Sequence, residues 1–145
     1  MIDLDENALT DRFWEIDFSY TDAAGDTVLL SDERKLVENQ SAQVVDETQP
    51  WARFTISPGE SQIDATGTIP TYKQLGTAYL QVFAPKGTGM SAARELRDQM
   101  ANAFRGWFSP DGCCHVYKVG FTTVDQSAYT QVNVAVSWES LRKPV

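Results

Sequence analysis

Residues 72–107 read YKQLGTAYLQVFAPKGTGMSAARELRDQMANAFRGW, two regular elements joined by a turn containing glycine. In Tyr72 to Ala84, the residues Ala78, Leu80, Val82 and Ala84 fall on one side and Tyr79, Gln81 and Phe83 on the other, the two-residue period of a strand. Pro85 has no amide to continue a ladder, and Gly87 and Gly89 admit backbone angles that a Cβ discourages. From Ser91 the spacing becomes helical: Ala93, Leu96, Met100, Ala103 or Phe104, and Trp107 recur every three or four residues. Thr88 or Ser91 can cap its start, and Gly106 followed by Pro110 can end it. Arg94, Glu95, Arg97, Asp98, Asn102 and Arg105 cover its polar side, where Arg94 and Asp98 are spaced to pair. An exposed pair contributes only about 0.3–0.5 kcal/mol, whereas each buried Leu, Met or Phe contributes about 1.5–3 kcal/mol. The apolar stripe therefore predicts a helix lying across the sheet that holds the strand.

Working outward, 145 residues suit one domain that buries about 70% of its extended surface. No apolar run is long enough to span a membrane, and no basic segment leads into an apolar one. The expectation is a chain made in the cytosol without a secretory signal or membrane contact. Net charge is −8 and unevenly spread. Residues 1–72 hold fifteen Asp or Glu against four Lys or Arg, whereas residues 73–145 hold five against eight. Such a split suits stacking onto a partner of opposite sign and lacks the clustered cations of a nucleic-acid footprint.

Toward the N-terminus, Leu9, Phe13, Ile16 and Tyr20 recur at helical spacing, and acidic residues crowd the first turn, where they oppose the helix dipole. A helix over about Asp5 to Phe18, capped by Asp3, Asp5 or Asn7, is the preferred reading. Trp14, Ile16, Phe18 and Tyr20 also alternate as in a strand, which would form a hairpin through Thr21 to Asp26 with Thr27 to Leu30. Residues 31–50 read as part of a long acidic connection, at about 21–49, with Val44 and Val45 as isolated apolar positions. At Trp51 a strand begins, with Ala52, Phe54 and Ile56 on one face and Arg53 and Thr55 on the other, and Ser57-Pro58-Gly59 reads as its terminating turn. Gln62 to Ile69 suggests an irregular strand whose hairpin with Tyr72 to Ala84 protrudes from a sheet edge. Past the central helix, Ser109-Pro110-Asp111-Gly112 is a turn, and His115 to Thr123 and Tyr129 to Trp138 are strands. Arg142, Lys143 and Pro144 read as a basic tail.

No set of residues demands catalysis. Cys113, Cys114 and His115 are too close along one strand to form a nucleophile, base and orienting group, so they read as buried thiols and a structural histidine. Ala84 to Gly89 precedes a helix, as phosphate loops do, but lacks a Lys followed by Ser or Thr and reads as a turn. The acidic groups Asp3, Asp5, Glu6 and Asp32, Glu33 lack calcium-loop spacing, and one histidine with two adjacent cysteines offers little for zinc. The sequence thus points to no cofactor and no metal. Trp14, Trp51, Trp107 and Trp138 stand beside charges or at element ends, where they anchor a core or an interface.

Several segments recur together in one known family. These are Pro50-Trp51-Ala52-Arg53-Phe54-Thr55-Ile56 with Ser57-Pro58-Gly59-Glu60, then Gly76 to Ala84, then Pro85-Lys86-Gly87-Thr88-Gly89 and the alanine-rich helix ending at Phe104-Arg105-Gly106. Tyr129-Thr130-Gln131-Val132-Asn133-Val134 and Ala8-Leu9-Thr10-Asp11-Arg12-Phe13 supply a last strand and an opening helix. In order and spacing, over about two thirds of the chain, they resemble the tail terminator or tail-completion proteins of long-tailed bacteriophages. Residues 18–49 depart from it, being longer and more acidic. The resemblance implies a single α/β (α+β) domain over residues 1–145, with two helices against a mixed, largely antiparallel sheet of four to six strands. It further implies a non-enzymatic virion protein of the tail and neck. Six copies would form a ring that caps the tail tube, ends its growth and offers the head connector a docking surface, with DNA passing through the lumen. Candidate interface residues are Trp51 and Arg53 beside the sheet edge, Arg94, Arg97 and Arg105 on the helix, and Asp32, Glu33 and Asp64 on loops. The rival reading is another neck component, such as a head-completion or connector adaptor protein.

Overall fold

Alternating strands and two amphipathic helices decide the architecture of the computed structural model, which describes residues 2–22, 24–37, 49–65, 67, 70–85, 91–125 and 129–143. In chain order the elements are α1 (Ile2–Glu15), β1 (Ser19–Thr21), β2 (Thr27–Leu29), a 3-10 turn (Asp32–Arg34) and β3 (Lys35–Val37). They continue with β4 (Trp51–Ala65), β5 (Thr71–Pro85), α2 (Ser91–Phe104), β6 (Cys114–Asp125) and β7 (Tyr129–Arg142). Five strands form one sheet in the order β3-β4-β5-β7-β6, and β1 with β2 forms a separate antiparallel ribbon. In the larger sheet only β3 runs parallel to its neighbour. The expected class, two helices on a largely antiparallel sheet, is the one observed.

The central strand β5 is specified by matching alternation on both sides. Phe54, Leu80 and Val134 are register partners across three strands, as are Ala52, Val82 and Val132, and Ile56, Ala78 and Val136. A one-residue slip would send all of them to the opposite face. Both helices cover this apolar face. Ala93, Leu96, Met100, Ala101 and Phe104 form the buried stripe of α2, and Leu9 and Phe13 anchor α1. After α2, Gly106 takes φ +70°, a left-handed conformation that ends the helix without a Cβ penalty.

Several boundaries depart from the sequence reading, each for a local reason. Helix α1 ends at Glu15, three residues before Phe18, and Ile16 N–H closes its last turn on Phe13 C=O at 3.2 Å. Asp3 and Asp5 consequently lie inside the first turn. The competing hairpin also forms, because Tyr20 on β1 pairs with Val28 on β2. The two periodicities belong to successive segments, α1 ending at Glu15 and β1 beginning at Ser19.

The acidic connection holds a strand among its described residues. Within it Lys35, Leu36 and Val37 add a parallel strand against Ala52, Arg53 and Phe54. Lys35 is buried, donating to Ile16 C=O at 2.6 Å, with its ammonium 5.5–6.0 Å from the ring centres of Phe13, Trp14 and Phe18. Burial lowers its pKa, against the opposing pull of Asp32 and Asp17. Val44 and Val45, Thr88 and the rest of the turn at 86–90 lie outside the described residues.

Ser57-Pro58-Gly59 is no turn: β4 runs through it to Ala65, absorbing the irregularity as register shifts at Pro58/Ser61 and Ile63/Ala65. Proline is tolerated because beyond Phe54 this strand has no second neighbour among the described residues, and an edge strand can spare an amide. The separate strand expected from Gln62 is the continuation of β4. β6 and β7 likewise outrun their expected ends, to Asp125 and Arg142.

Gly76 shows why one strand position must lack a side chain. Any Cβ there would collide with the indole of Trp138, its register partner, which is fully buried. The indole N–H has no acceptor among the described residues, so close packing on Gly76 must offset an unmet donor costing about 1–3 kcal/mol. Gly76→Ala is expected to destabilise the protein by about 1–3 kcal/mol through overpacking, read as a lower urea midpoint with unchanged slope. An unaltered midpoint would contradict this packing.

Candidate assembly surfaces

The candidate interface residues occupy three places. Trp51 is buried, its ring stacked on Phe83 with centroids 5.0 Å apart, and Leu36 completes this small cluster on the sheet face away from the helices. Arg53 is exposed, with its guanidinium 5.6 Å from the centre of the Phe83 ring. An exposed cation over an aromatic face contributes about 0.5–1 kcal/mol and fixes where the charge points.

On α2, Arg94 and Arg105 are exposed, while Arg97 lies 5.1 Å from the centre of the Phe121 ring on β6. The expected Arg94–Asp98 pair is replaced by Arg97–Asp98 at 2.9 Å, since Phe121 draws the Arg97 side chain down beside that carboxylate. Glu95 and Gln99 leave the opposite flank, where Glu95 accepts Thr21 N–H at 2.6 Å and Gln99 accepts Ser19 N–H at 2.9 Å. The Gln99 amide also donates to Ser19 C=O at 2.7 Å. These bonds hold the β1–β2 ribbon against α2.

The third place is the 3-10 turn. Asp32 projects into solvent, 87% exposed, with the Lys35 ammonium 3.9 Å away. The side chains of Glu33 and Asp64 lie outside the described residues. Arg53, α2 and Asp32 therefore mark separate surfaces.

A charged cluster that no periodicity announced lies at the other end of the sheet. Asp5, 1% exposed, accepts two hydrogen bonds from the Arg142 guanidinium at 2.7 and 2.9 Å and one from Ser140 Oγ at 2.6 Å. Arg142 also donates to Asp111 at 2.8 Å. Arg142 is thus the clamped last residue of β7 and not part of a basic tail. Burial opposes its cation, but the hydrogen bonds it donates to Asp5 and Asp111 outweigh that and raise its pKa. The Asp111 carboxyl is held down at about 2, from an ordinary 3.8, by the Ser109 hydroxyl, the Cys113 amide and Arg142. Asp5 and Arg142 are 137 residues apart, beyond the reach of any local pattern.

The cysteines and His115 make no reaction centre. Cys114 is fully buried, and burial followed by the charge of Asp5 pushes its thiol up to about 12, away from nucleophilic reactivity. His115 pairs with Glu139 at 3.1 Å and stacks on Phe108. The groove between α1 and Trp107-Phe108, about 370 Å³, is lined by Leu4, Ala8, Arg12 and Pro110 among others. Among the described residues no three His, Cys, Asp or Glu side chains converge to hold a metal ion.

Residues 19–138 match the model of the phage tail terminator protein family. The chain belongs to that family. Terminators are structural, non-catalytic virion proteins that end tail-tube polymerisation near the neck, so this is the role of the chain, in company with tail-tube and head-connector components. The search of curated proteins returned no match. A solved structure 17% identical in sequence covers all of this chain and 99% of its own, with a TM-score of 0.64, a likeness of fold. In this terminator the family match begins at β1 and ends at Trp138, which leaves the Asp5–Arg142 clamp outside it.

Two expectations follow. Arg142→Leu leaves the buried Asp5 carboxylate without its cation and is expected to cost about 3–5 kcal/mol in urea unfolding, with Asp5→Leu/Arg142→Leu recovering part of the loss. Because the folded Asp111 pKa lies below its unfolded value, its contribution is present above about pH 4 and lost as pH falls toward 2. Wild type should therefore lose stability across that window more steeply than Asp111→Asn, and parallel pH profiles would contradict the assignment.

Proposed function

We propose that the protein works as a closed homohexameric ring seated on the last ring of tail-tube protein, with one face bound to the tube and the other presented to the head connector. The observation that carries this reading is the family match over residues 19–138. It is supported by the uneven charge, with the N-terminal half strongly acidic and the C-terminal half mildly basic, which suits contacts between unlike faces. All 145 residues form one terminator domain in this reading, the acidic segment at about 21–49 being its own elaboration. Synthesis takes place in the host cytoplasm before assembly into the virion.

DNA passes through the lumen without sequence-specific contacts, since a surface poor in clustered cations does not retain phosphate during ejection. Arg53, Arg94, Arg97 and Arg105 contribute cationic contacts, and Asp32, Glu33 and Asp64 contribute acidic ones. Trp51 acts from beneath, by stacking on the ring over which Arg53 lies.

Native mass spectrometry and electron microscopy of the purified protein, alone and on tail tubes, test the reading. Closed six-membered rings at tube ends, with binding to tubes and none to portal-bearing heads lacking tails, are the expected result. Open filaments, or a protein that stays monomeric on tubes, would rule it out.

A further inference from the structure

We infer that neighbouring copies in the ring meet edge to edge, the α2–β6 side of one copy against the β1–β2 and Asp32 side of the next. This rests on the ring reading above and names the two surfaces that make it. β3 and β6 are the two outer strands of the sheet, so what lies beside them lies on opposite sides of the molecule.

The α2–β6 side is cationic. Arg97 lies over Phe121 of β6 and exposed Arg94 precedes it by one helical turn, while exposed Lys118, paired with Ser137, adds charge to the same edge strand on the sheet face away from α2. Among the described side chains Asp98 is the acid facing them, and it is already bonded to Arg97. Phe121, 49% exposed, supplies an apolar centre.

The other side is anionic. Glu95 and Gln99 are two residues either side of Arg97, about 160° away around the helix, and they bind the ribbon to the opposite flank of α2. From that ribbon the chain continues through Asp32 into β3. Asp17, Asp26 and Asp32 are exposed there, while the nearby cations are engaged within the chain: buried Lys35 donates to Ile16 C=O with Asp32 at 3.9 Å, and half-buried Arg34 donates to the Pro50 and Gln49 carbonyls. Leu29, 69% exposed, is the matching apolar centre.

Each side therefore carries an exposed apolar side chain and a surplus of charge of one sign, and the two surpluses are opposite. A two-fold dimer through either side would set like charges against each other. Unlike sides on opposite edges instead favour a head-to-tail contact, the kind that repeats until a ring closes. The occupant of each surface is accordingly a second copy of this chain.

Two charge-reversed variants separate this from the ring reading: Arg94→Glu/Arg97→Glu, anionic on both sides, and Asp26→Arg/Asp32→Arg, cationic on both sides. Native mass spectrometry and sedimentation would compare wild type, each variant and their equimolar mixture, in solution and on tail tubes. Either variant alone is expected to associate about tenfold more weakly or worse, and the mixture to recover rings in which the two alternate. Thermal melts check that both fold; should one not, the amide pairs Arg94→Gln/Arg97→Gln and Asp26→Asn/Asp32→Asn replace them, with partial weakening expected. Rings of wild-type strength from a single reversed variant, or a mixture of folded variants no better than its parts, would overturn the edge pairing and leave the ring intact. A wild type that is monomeric in solution and on tubes would overturn both.

Discussion

Phe54 stands between Phe13 and Phe104, its ring stacked 4.8 Å from the first and 6.0 Å from the second, nearly parallel to each. This stack ties α1, β4 and α2 at one point, and it explains why a helix at each end of the N-terminal two thirds of the chain shares one sheet face. Offset and tilted ring pairs contribute about 0.5–1.5 kcal/mol beyond burial, and burial of three Phe side chains adds several more. Around it the register of β4, β5 and β7 follows, because Phe54, Leu80 and Val134 must share a face. The second sheet face is held by a smaller stack, Trp51 on Phe83 with Leu36 beside them, with Arg53 lying over Phe83.

What was legible in the sequence was what repeats over many residues. β5, α2 and β7 showed their periods clearly, since each holds four or more apolar residues on one face. Where the period lasted two residues, as at Leu36-Val37, it could not be told from a polar loop, and the partner that completes it, Ala52 to Phe54, is distant in sequence. Pro58 and Gly59 misled for a different reason. Their local preference for a turn is real, but at a sheet edge a bulge satisfies it without ending the strand. Most of the candidate interface residues were legible as charges, whereas their placement on separate surfaces was not, and Trp51 proved to be buried. That placement needed the ribbon's docking on α2 through Glu95 and Gln99, which side-chain bonds alone establish.

A protein that ends a polymer has no need of a reactive cavity, and the side chains that might have formed one are spent on holding shape. Cys114 is sealed beneath the clamp, His115 is braced between Phe108 and Glu139, and Lys35 is folded over aromatic rings. The remaining charge is arranged at the periphery, where, in the proposed ring, it would direct how copies approach. In such a molecule the specificity of assembly comes from sign and position together: apolar contact supplies adhesion, and charge refuses the wrong orientation.

The clamp at Asp5 and Arg142 has a further mechanical consequence. Because it joins the first helix to the last strand, neither α1 nor the end of β7 can peel away without releasing the other. Pulling on one is resisted by both, and force is delivered into the three long strands at the middle of the sheet. A component that bears load between head and tail gains from a chain fastened to itself in this way, as a buckled strap holds where an open one slips.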